Sequence, residues 1–109
     1  MAVLAALVVA VAAFASSSKT SVAVTAGKPS ELKFTLAKMS APKGLISFKI
    51  TNKGTLSHDF KIAGKTSTKL KPGKSTTLTV DIKKAGKYPF LCTVAGHAAA
   101  GMKGTFTVK

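Results

Sequence analysis

Three residues whose side chains bind soft metal ions stand close together near the end of the chain, in the segment FLCTVAGHAAAGMKG. The only cysteine, Cys92, is followed by His97 and then by Met102, so two steps of five residues join a thiol, an imidazole and a thioether. On a regular helix a step of five residues turns successive side chains by about 140°, so a helix could not bring the three together. The glycines of the segment favour a loop, and a curled loop can aim all three side chains at one point.

A second imidazole, that of His58, is expected to face the same point. In the segment SHDFKI, His58 alternates with the polar Asp59 and therefore falls on the apolar side of a predicted strand. In KYPFLC, Cys92 ends another predicted strand, also on its inward side. Antiparallel neighbours would bring His58 and Cys92 to the same rim of a β-sandwich.

Two imidazoles, a thiolate and a thioether select a metal by their softness. Two His, one Cys and a weak axial Met are the ligands of a type 1 blue-copper centre. Zinc accepts the same Cys and His but gains little from a thioether. We therefore predict one copper ion per chain, bound by His58, Cys92, His97 and Met102.

Each of these residues also has a purely structural interpretation. A lone buried Cys is most often a small core hydrophobe, a His can be a satisfied core residue, and a Met can fill a gap. The four residue types in this order and on this strand pattern favour the metal site. Met39, which has no such neighbours, is interpreted as packing.

Alternating apolar and polar residues predict strands along most of the chain. In ELKFTLAK the apolar side chains share one face, while Glu31 and its polar neighbours take the other. The same period of two recurs in LISFKIT, TTLTVDI and KYPFLC, and in shorter runs at 22–24, 58–62 and 105–108. With Gly- and Pro-containing turns between them, about seven strands indicate a single β-sandwich domain without internal repeats.

In these segments the chain resembles the cupredoxins, the small blue-copper proteins of the plastocyanin and azurin family. The resemblance runs from ELKF through NKGTLSHDFKI to GKYPFLCTVAGHAAAGMKGTFTV, and the C-x4-H-x4-M spacing is most similar to that of auracyanin-like members. It implies an all-β, cupredoxin-like Greek-key β-sandwich of about seven to eight strands. It also implies that Asp59 joins the two ligand loops by hydrogen bonds to Thr93. The residues alone are equally consistent with a solvated acid on the outer face of a strand.

The resemblance and the ligand set imply an electron-transfer protein that carries one electron on its copper. The small residues around His97 would leave its ring edge near the surface, in an uncharged patch where electrons enter or leave; a turn of helix is the structural alternative for the alanines. The net charge of +14, with seventeen Lys and only three acids, indicates an acidic partner. An acidic redox protein or a membrane-bound electron-transfer complex fits, with an anionic membrane surface as an alternative, and the chain is expected to be a monomer.

The N-terminal stretch from Ala2 to Ala15 is apolar over fourteen residues. That length is short for a membrane span and suits a signal-peptide core. We predict a signal peptide or N-terminal membrane anchor over residues 1–15 and a cupredoxin domain over residues 16–109. An exported protein, periplasmic or on the extracellular face of the membrane, is the expectation.

Several other functions are less favoured. A Cys-His hydrolase would leave Met102 unexplained, and two His cannot supply the second copper site of a copper oxidase, so we expect no enzyme. Nucleic-acid binding is disfavoured because the chain has no Arg and no recognition motif. Copper storage, sensing or delivery stays open as the alternative, because it could use identical ligands.

Overall fold

Two β-sheets face each other in the computed structural model, which describes residues 19–109. The strands are β1 Lys19–Ala26, β2 Phe34–Leu36, β3 Ser40–Ala41, β4 Gly44–Asn52, β5 Lys61–Ile62, β6 Lys65–Thr66, β7 Ser75–Ile82, β8 Gly86–Leu91 and β9 Lys103–Val108. Within residues 19–109 no helix has the length and apolar character that crossing a bilayer requires.

The sheets are mixed. The first has the strand order β2-β1-β4-β7 and the second the order β3-β9-β8-β5-β6. Strand β1 runs parallel to β4, and β3 runs parallel to β9, whereas the remaining pairs are antiparallel. The predicted all-β sandwich is confirmed. The described chain has nine strands, because β3 and β6 are two-residue strands too short to show alternation.

The core between the sheets is built around Phe60. Its ring centroid lies 5.3 Å from that of Phe34, 5.2 Å from that of Phe48 and 5.4 Å from that of Phe90. Offset and edge-on aromatic contacts of this kind add to the stability that burial alone provides. Because Phe60 follows His58 by two residues, this packing anchors the segment that carries the first candidate ligand.

The loops that carry the chemistry meet at one end of the sandwich, here called the site end. The parallel strands β1 and β4 finish there at Ala26 and Asn52, and the Lys53 N–H donates to the Ala26 carbonyl at 2.8 Å. The opposite end contains the start of β4 and the end of β7, where Leu45 pairs with Asp81. The candidate ligands therefore belong to the irregular segments that follow β4 and β8.

The structure differs from the strand predictions at Glu31 and at His58. The strand expected to begin at Glu31 begins at Phe34, so the outward orientation predicted for Glu31 is wrong: the residue lies in a turn. His58 forms only an isolated bridge with Leu70, and β5 starts at Lys61. The predicted leader, residues 1–15, lies outside the described residues and stays a prediction, as does the domain boundary at 16.

Candidate metal centre

His58, Cys92 and His97 form a compact group at the site end. One potential ligand atom from each lies within 4.8 Å of the others. Cys92 Sγ is 3.6 Å from His97 Nδ1, and the two imidazole centroids are 5.0 Å apart. His58 and Cys92 are fully buried, while His97 is 9% exposed. The group is therefore compact enough to hold one metal ion.

The segment from Cys92 to Met102 is a loop closed by its own backbone. The Cys92 N–H donates to the Met102 carbonyl at 3.1 Å, and the Met102 N–H donates to the His97 carbonyl at 3.0 Å. Gly96 and Gly101 have φ of 84° and 111°, which residues with a Cβ rarely adopt. The predicted loop is thus present, and it brings His97 back beside Cys92. The Met102 side chain is fully buried at the loop's base.

Asp59 lies beneath this loop and binds Thr93. The Thr93 N–H donates to Asp59 Oδ1 at 2.6 Å, and the Thr93 hydroxyl donates to Asp59 Oδ2. Asp59 is only 2% exposed, so the solvated outward position left open by the residues alone is wrong. The contact implied by the family resemblance is present. Such bonds beyond the ligands fix ligand orientation.

The two ring nitrogens of His58 have different surroundings. Nε2 lies 2.6 Å from Glu31 Oε2, whereas Nδ1 is buried and has no hydrogen-bond partner among residues 19–109. A buried polar atom without a partner costs free energy unless something else satisfies it. Nδ1 is therefore the nitrogen of His58 that is free to bind a metal.

Glu31 is the residue of this site that sequence reasoning missed. The Thr55 N–H and hydroxyl donate to its Oε1 at 2.7 and 2.8 Å, and the Leu56 N–H donates to its Oε2 at 3.1 Å. The Thr55 backbone, followed by His58, lowers the pKa of Glu31 to about 2. The sequence signal that could have pointed to Glu31 is the scarcity of acids, because the chain has only three acids against seventeen Lys.

Asn52 shapes the turn that presents these donors. Its fully buried side chain donates from Nδ2 to the carbonyls of Leu56 and Leu70, both at 2.8 Å. Its Oδ1 accepts the Gly54 N–H at 2.8 Å. Asn52, the last residue of β4, thus holds the segment between β4 and His58.

Burial acts in opposite directions on the thiol and on the second imidazole. Desolvation raises the pKa of the Cys92 thiol, against a lowering by backbone hydrogen bonds from Asp59 and Val94. Desolvation also lowers the pKa of His97, and the neighbouring His58 adds to that effect. The metal-free site therefore favours a neutral thiol and a neutral His97 ring.

This donor set fits a copper ion. One buried thiol and two imidazoles within 4.8 Å match the trigonal part of a blue-copper site, and the unpartnered Nδ1 of His58 supplies a free lone pair. The backbone of the buried Met102 forms hydrogen bonds with the backbones of Cys92 and His97, so Met102 lies next to this group. A structural zinc site would more commonly show a fourth strong ligand.

Comparisons with known proteins agree with the fold. The family model described as a cupredoxin-like domain matches residues 1–108. Auracyanin from Roseiflexus castenholzii is 24% identical, with a TM-score of 0.69 over 88% of this chain and 99% of that one. Auracyanin A from Chloroflexus aurantiacus, described as a "blue" copper protein, is 18% identical, with a TM-score of 0.73 over 84% of this chain and 100% of that one.

Rusticyanin from Thiobacillus ferrooxidans is similar to the same extent. It is 22% identical, with a TM-score of 0.73 over 88% of this chain and 80% of that one. No curated protein sequence matches the chain significantly. At these identities the solved structures establish the fold, and the family model extends over nearly the whole sequence. The chain therefore belongs to the family of cupredoxin-like domains.

Proposed function

We propose that this protein is an electron carrier that holds one copper ion between His58, Cys92, His97 and Met102. The observation that carries the proposal is the convergence of one buried thiol and two imidazoles within 4.8 Å. Copper bound there would supply one-electron exchange between Cu(II) and Cu(I). The similarity to auracyanin and rusticyanin folds supports the same function.

The surrounding residues suit a site whose geometry changes little. The Asp59 carboxylate fastens the loop after Cys92 to the segment of His58, and backbone bonds close the loop at Met102. Full burial of His58, Cys92 and Met102 keeps water away from these three residues. Limited rearrangement between oxidation states lowers the barrier to electron transfer.

Electrons would enter and leave through the ring edge of His97. His97 is the least buried of the three, at 9% exposed, and its neighbours are small: Ala95, Gly96 and Ala99 are exposed and uncharged. The Lys33 ammonium lies against Gly101 at the margin of this His97 patch, because a Cβ at Gly101 would come within 2.8 Å of Lys33 Nζ. An apolar contact with a cationic margin suits an acidic redox protein or a membrane-bound electron-transfer complex.

We infer an exported monomer, periplasmic or held at the outer face of a membrane by residues 1–15, that has no enzymatic activity of its own. A copper-delivery protein is the alternative, since its ligands could be the same. The two functions differ in how firmly the site holds its metal.

The test measures electron exchange and copper release on the same full-length protein. Electron self-exchange is measured by NMR line broadening in mixtures of the Cu(I) and Cu(II) forms, and copper release by transfer to bicinchoninate. An electron carrier should exchange electrons rapidly and keep its copper against an equimolar amount of the chelator. Slow exchange with rapid loss of copper would overturn the proposal and favour delivery.

A further inference from the structure

We propose that Glu31 is a positioning residue that fixes the tautomer and orientation of His58 and thereby lowers the reduction potential of the copper site. The part of this inference that concerns the potential rests on the proposed function. The part that concerns the tautomer refers to the metal-free protein.

The Glu31 carboxylate is held in place from three sides. Thr55 donates two hydrogen bonds to Oε1, at 2.7 and 2.8 Å, and Leu56 donates one to Oε2 at 3.1 Å. His58 Nε2 completes the set at 2.6 Å from Oε2. Four contacts on one carboxylate leave it little freedom, although the side chain is 29% exposed. The acceptor is therefore built to meet the imidazole in one orientation.

An acceptor at Nε2 determines where the proton of a neutral His58 lies. A carboxylate can only accept, so the ring must donate from Nε2–H, which leaves a lone pair on Nδ1. Nδ1 is the buried atom without a partner among residues 19–109. The two observations agree: Glu31 holds the proton on Nε2 and leaves the lone pair of the buried Nδ1 free.

Two glycines make room for this contact. A Cβ on Gly54 would overlap Glu31 Oε2 and would lie 3.0 Å from His58 Nε2. A Cβ on Gly27 would come within 2.6 Å of Gly54 Cα, so the two turns touch backbone to backbone. The loop that carries Glu31 can approach the loop before His58 only because neither glycine has a side chain.

The distribution of charge gives a matched control. Of the three acids, Glu31 and Asp59 lie at the site end, and Asp81 lies at the opposite end beside Lys83 at 3.1 Å. Substituting Asp81 with Asn removes the same unit of negative charge as substituting Glu31 with Gln. A change seen only for Glu31 would thus be due to its position.

The direction of the effect on the potential follows from the chemistry of the ligand. An imidazole that donates its second N–H to a carboxylate is a more basic ligand. A more basic ligand favours Cu(II) over Cu(I). Losing such a partner typically costs 10–100-fold in metal affinity, and we expect the preference for Cu(II) to fall about tenfold in Glu31→Gln. For a one-electron couple this is a rise in potential of about 59 mV.

Glu31→Gln is a stringent test because Gln keeps the shape of the side chain and changes only its charge and hydrogen-bonding groups. Its amide group presents an NH₂ where the carboxylate accepts, so at least one N–H donor faces another donor. Gly54→Ala tests the same contact differently, since it displaces the carboxylate from His58 and leaves the net charge unchanged. If the charged acceptor on His58 is what matters, both variants raise the potential and Asp81→Asn does not, because a Gln oxygen turned toward His58 is a neutral acceptor.

The first readout is the His58 tautomer of the metal-free wild type, measured by long-range ¹H–¹⁵N correlation at pH 8. We expect the proton on Nε2 and none on Nδ1, and a proton on Nδ1 would overturn the inference even if every variant failed to fold. The second readout is the potential of the copper-loaded variants, where unchanged values in Glu31→Gln and Gly54→Ala would also overturn it. A wild type that binds no copper would contradict the proposed function, while the tautomer would still decide the role of Glu31.

Discussion

Asp59 and Thr93 are thirty-four residues apart in the chain, yet both carboxylate oxygens of Asp59 accept hydrogen bonds from Thr93. Asp59 directly follows His58, and Thr93 directly follows Cys92. The contact therefore joins the segment before β5 to the loop after β8, at the residues adjacent to two candidate ligands. Both segments are held together by a side chain that does not itself need to touch the metal.

Breaking this contact should destabilise the metal-free protein. Asp59→Asn removes the charge and turns an NH₂ toward one of the two Thr93 donors, and hydrogen bonds to charged groups contribute about 1.5–3 kcal/mol. We expect the free energy of unfolding, measured with urea, to fall by roughly that amount. The control is Asp81→Asn, whose exposed pair with Lys83 should contribute about 1 kcal/mol or less. Equal losses in the two variants would contradict the role of Asp59.

Much of the site could be predicted because its residues follow regular patterns. Strand alternation placed His58 and Cys92 on the inner side, and glycines at 96 and 101 indicated the loop that returns His97 to Cys92. The role of Asp59 in joining the two loops was predicted from the family resemblance. These inferences depend on local periodicity and on residue types, which a sequence displays directly.

Glu31 and Asn52 could not be found in the same way. Glu31 lies in an irregular turn, where no period relates a side chain to a face, and Asn52, the last residue of β4, bonds the carbonyls of Leu56 and Leu70, which no strand period relates to it. Extending the alternation of β2 back to Glu31 predicted an outward side chain, whereas the turn before Phe34 directs the carboxylate to His58. Its donors at Thr55 and Leu56 are over twenty residues away, so the contact depends on how two turns meet.

Replacing Met102 should change the potential and leave copper bound. In Met102→Gln a harder amide oxygen replaces the thioether, and a harder ligand favours Cu(II). We therefore expect the potential to fall by more than about 59 mV, the value that corresponds to a tenfold change in the preference for Cu(II) over Cu(I). Met39→Gln is the matched control, because Met39 is 50% exposed and its carbonyl accepts the Thr107 N–H. A potential that responds equally to both substitutions would exclude Met102 as a ligand.

Copper uptake should depend on pH. Burial raises the pKa of the Cys92 thiol, so the metal-free thiol is protonated near neutrality and must release a proton when it binds copper. Burial lowers the pKa of His97, so near neutral pH its ring carries no extra proton that copper would have to displace. Between pH 7 and pH 8 the affinity should rise about tenfold per released proton. Competition with a chelator measures it, and an affinity that falls with pH would contradict this account.

The His97 patch should control reaction with anionic partners. Ala99→Glu and Thr77→Glu both place a carboxylate at an exposed position and change the net charge equally, but only Ala99 lies in the patch. We expect oxidation by ferricyanide, followed by stopped-flow absorbance, to slow severalfold in Ala99→Glu and to slow less in Thr77→Glu. Added salt should reduce the difference. Identical rates in the two variants would place electron entry elsewhere.

The sulfur of Cys92 should be the source of the visible colour. Cys92→Ser removes the thiolate, so the copper-loaded variant should lack the intense sulfur-to-copper charge-transfer band. Circular dichroism of the metal-free variant serves as the control for folding, because Cys92 is buried. A Cys92→Ser protein that is still intensely blue would exclude Cys92 as the ligand.

The most direct test is a visible and electron-paramagnetic-resonance spectrum of the wild-type protein after Cu(II) is added and the excess is removed. A site formed by His58, Cys92, His97 and Met102 should give one copper per chain, an intense charge-transfer band and a narrow copper hyperfine splitting. A colourless protein, or one with the weak absorption and wide splitting of ordinary Cu(II), would contradict the proposed blue-copper centre.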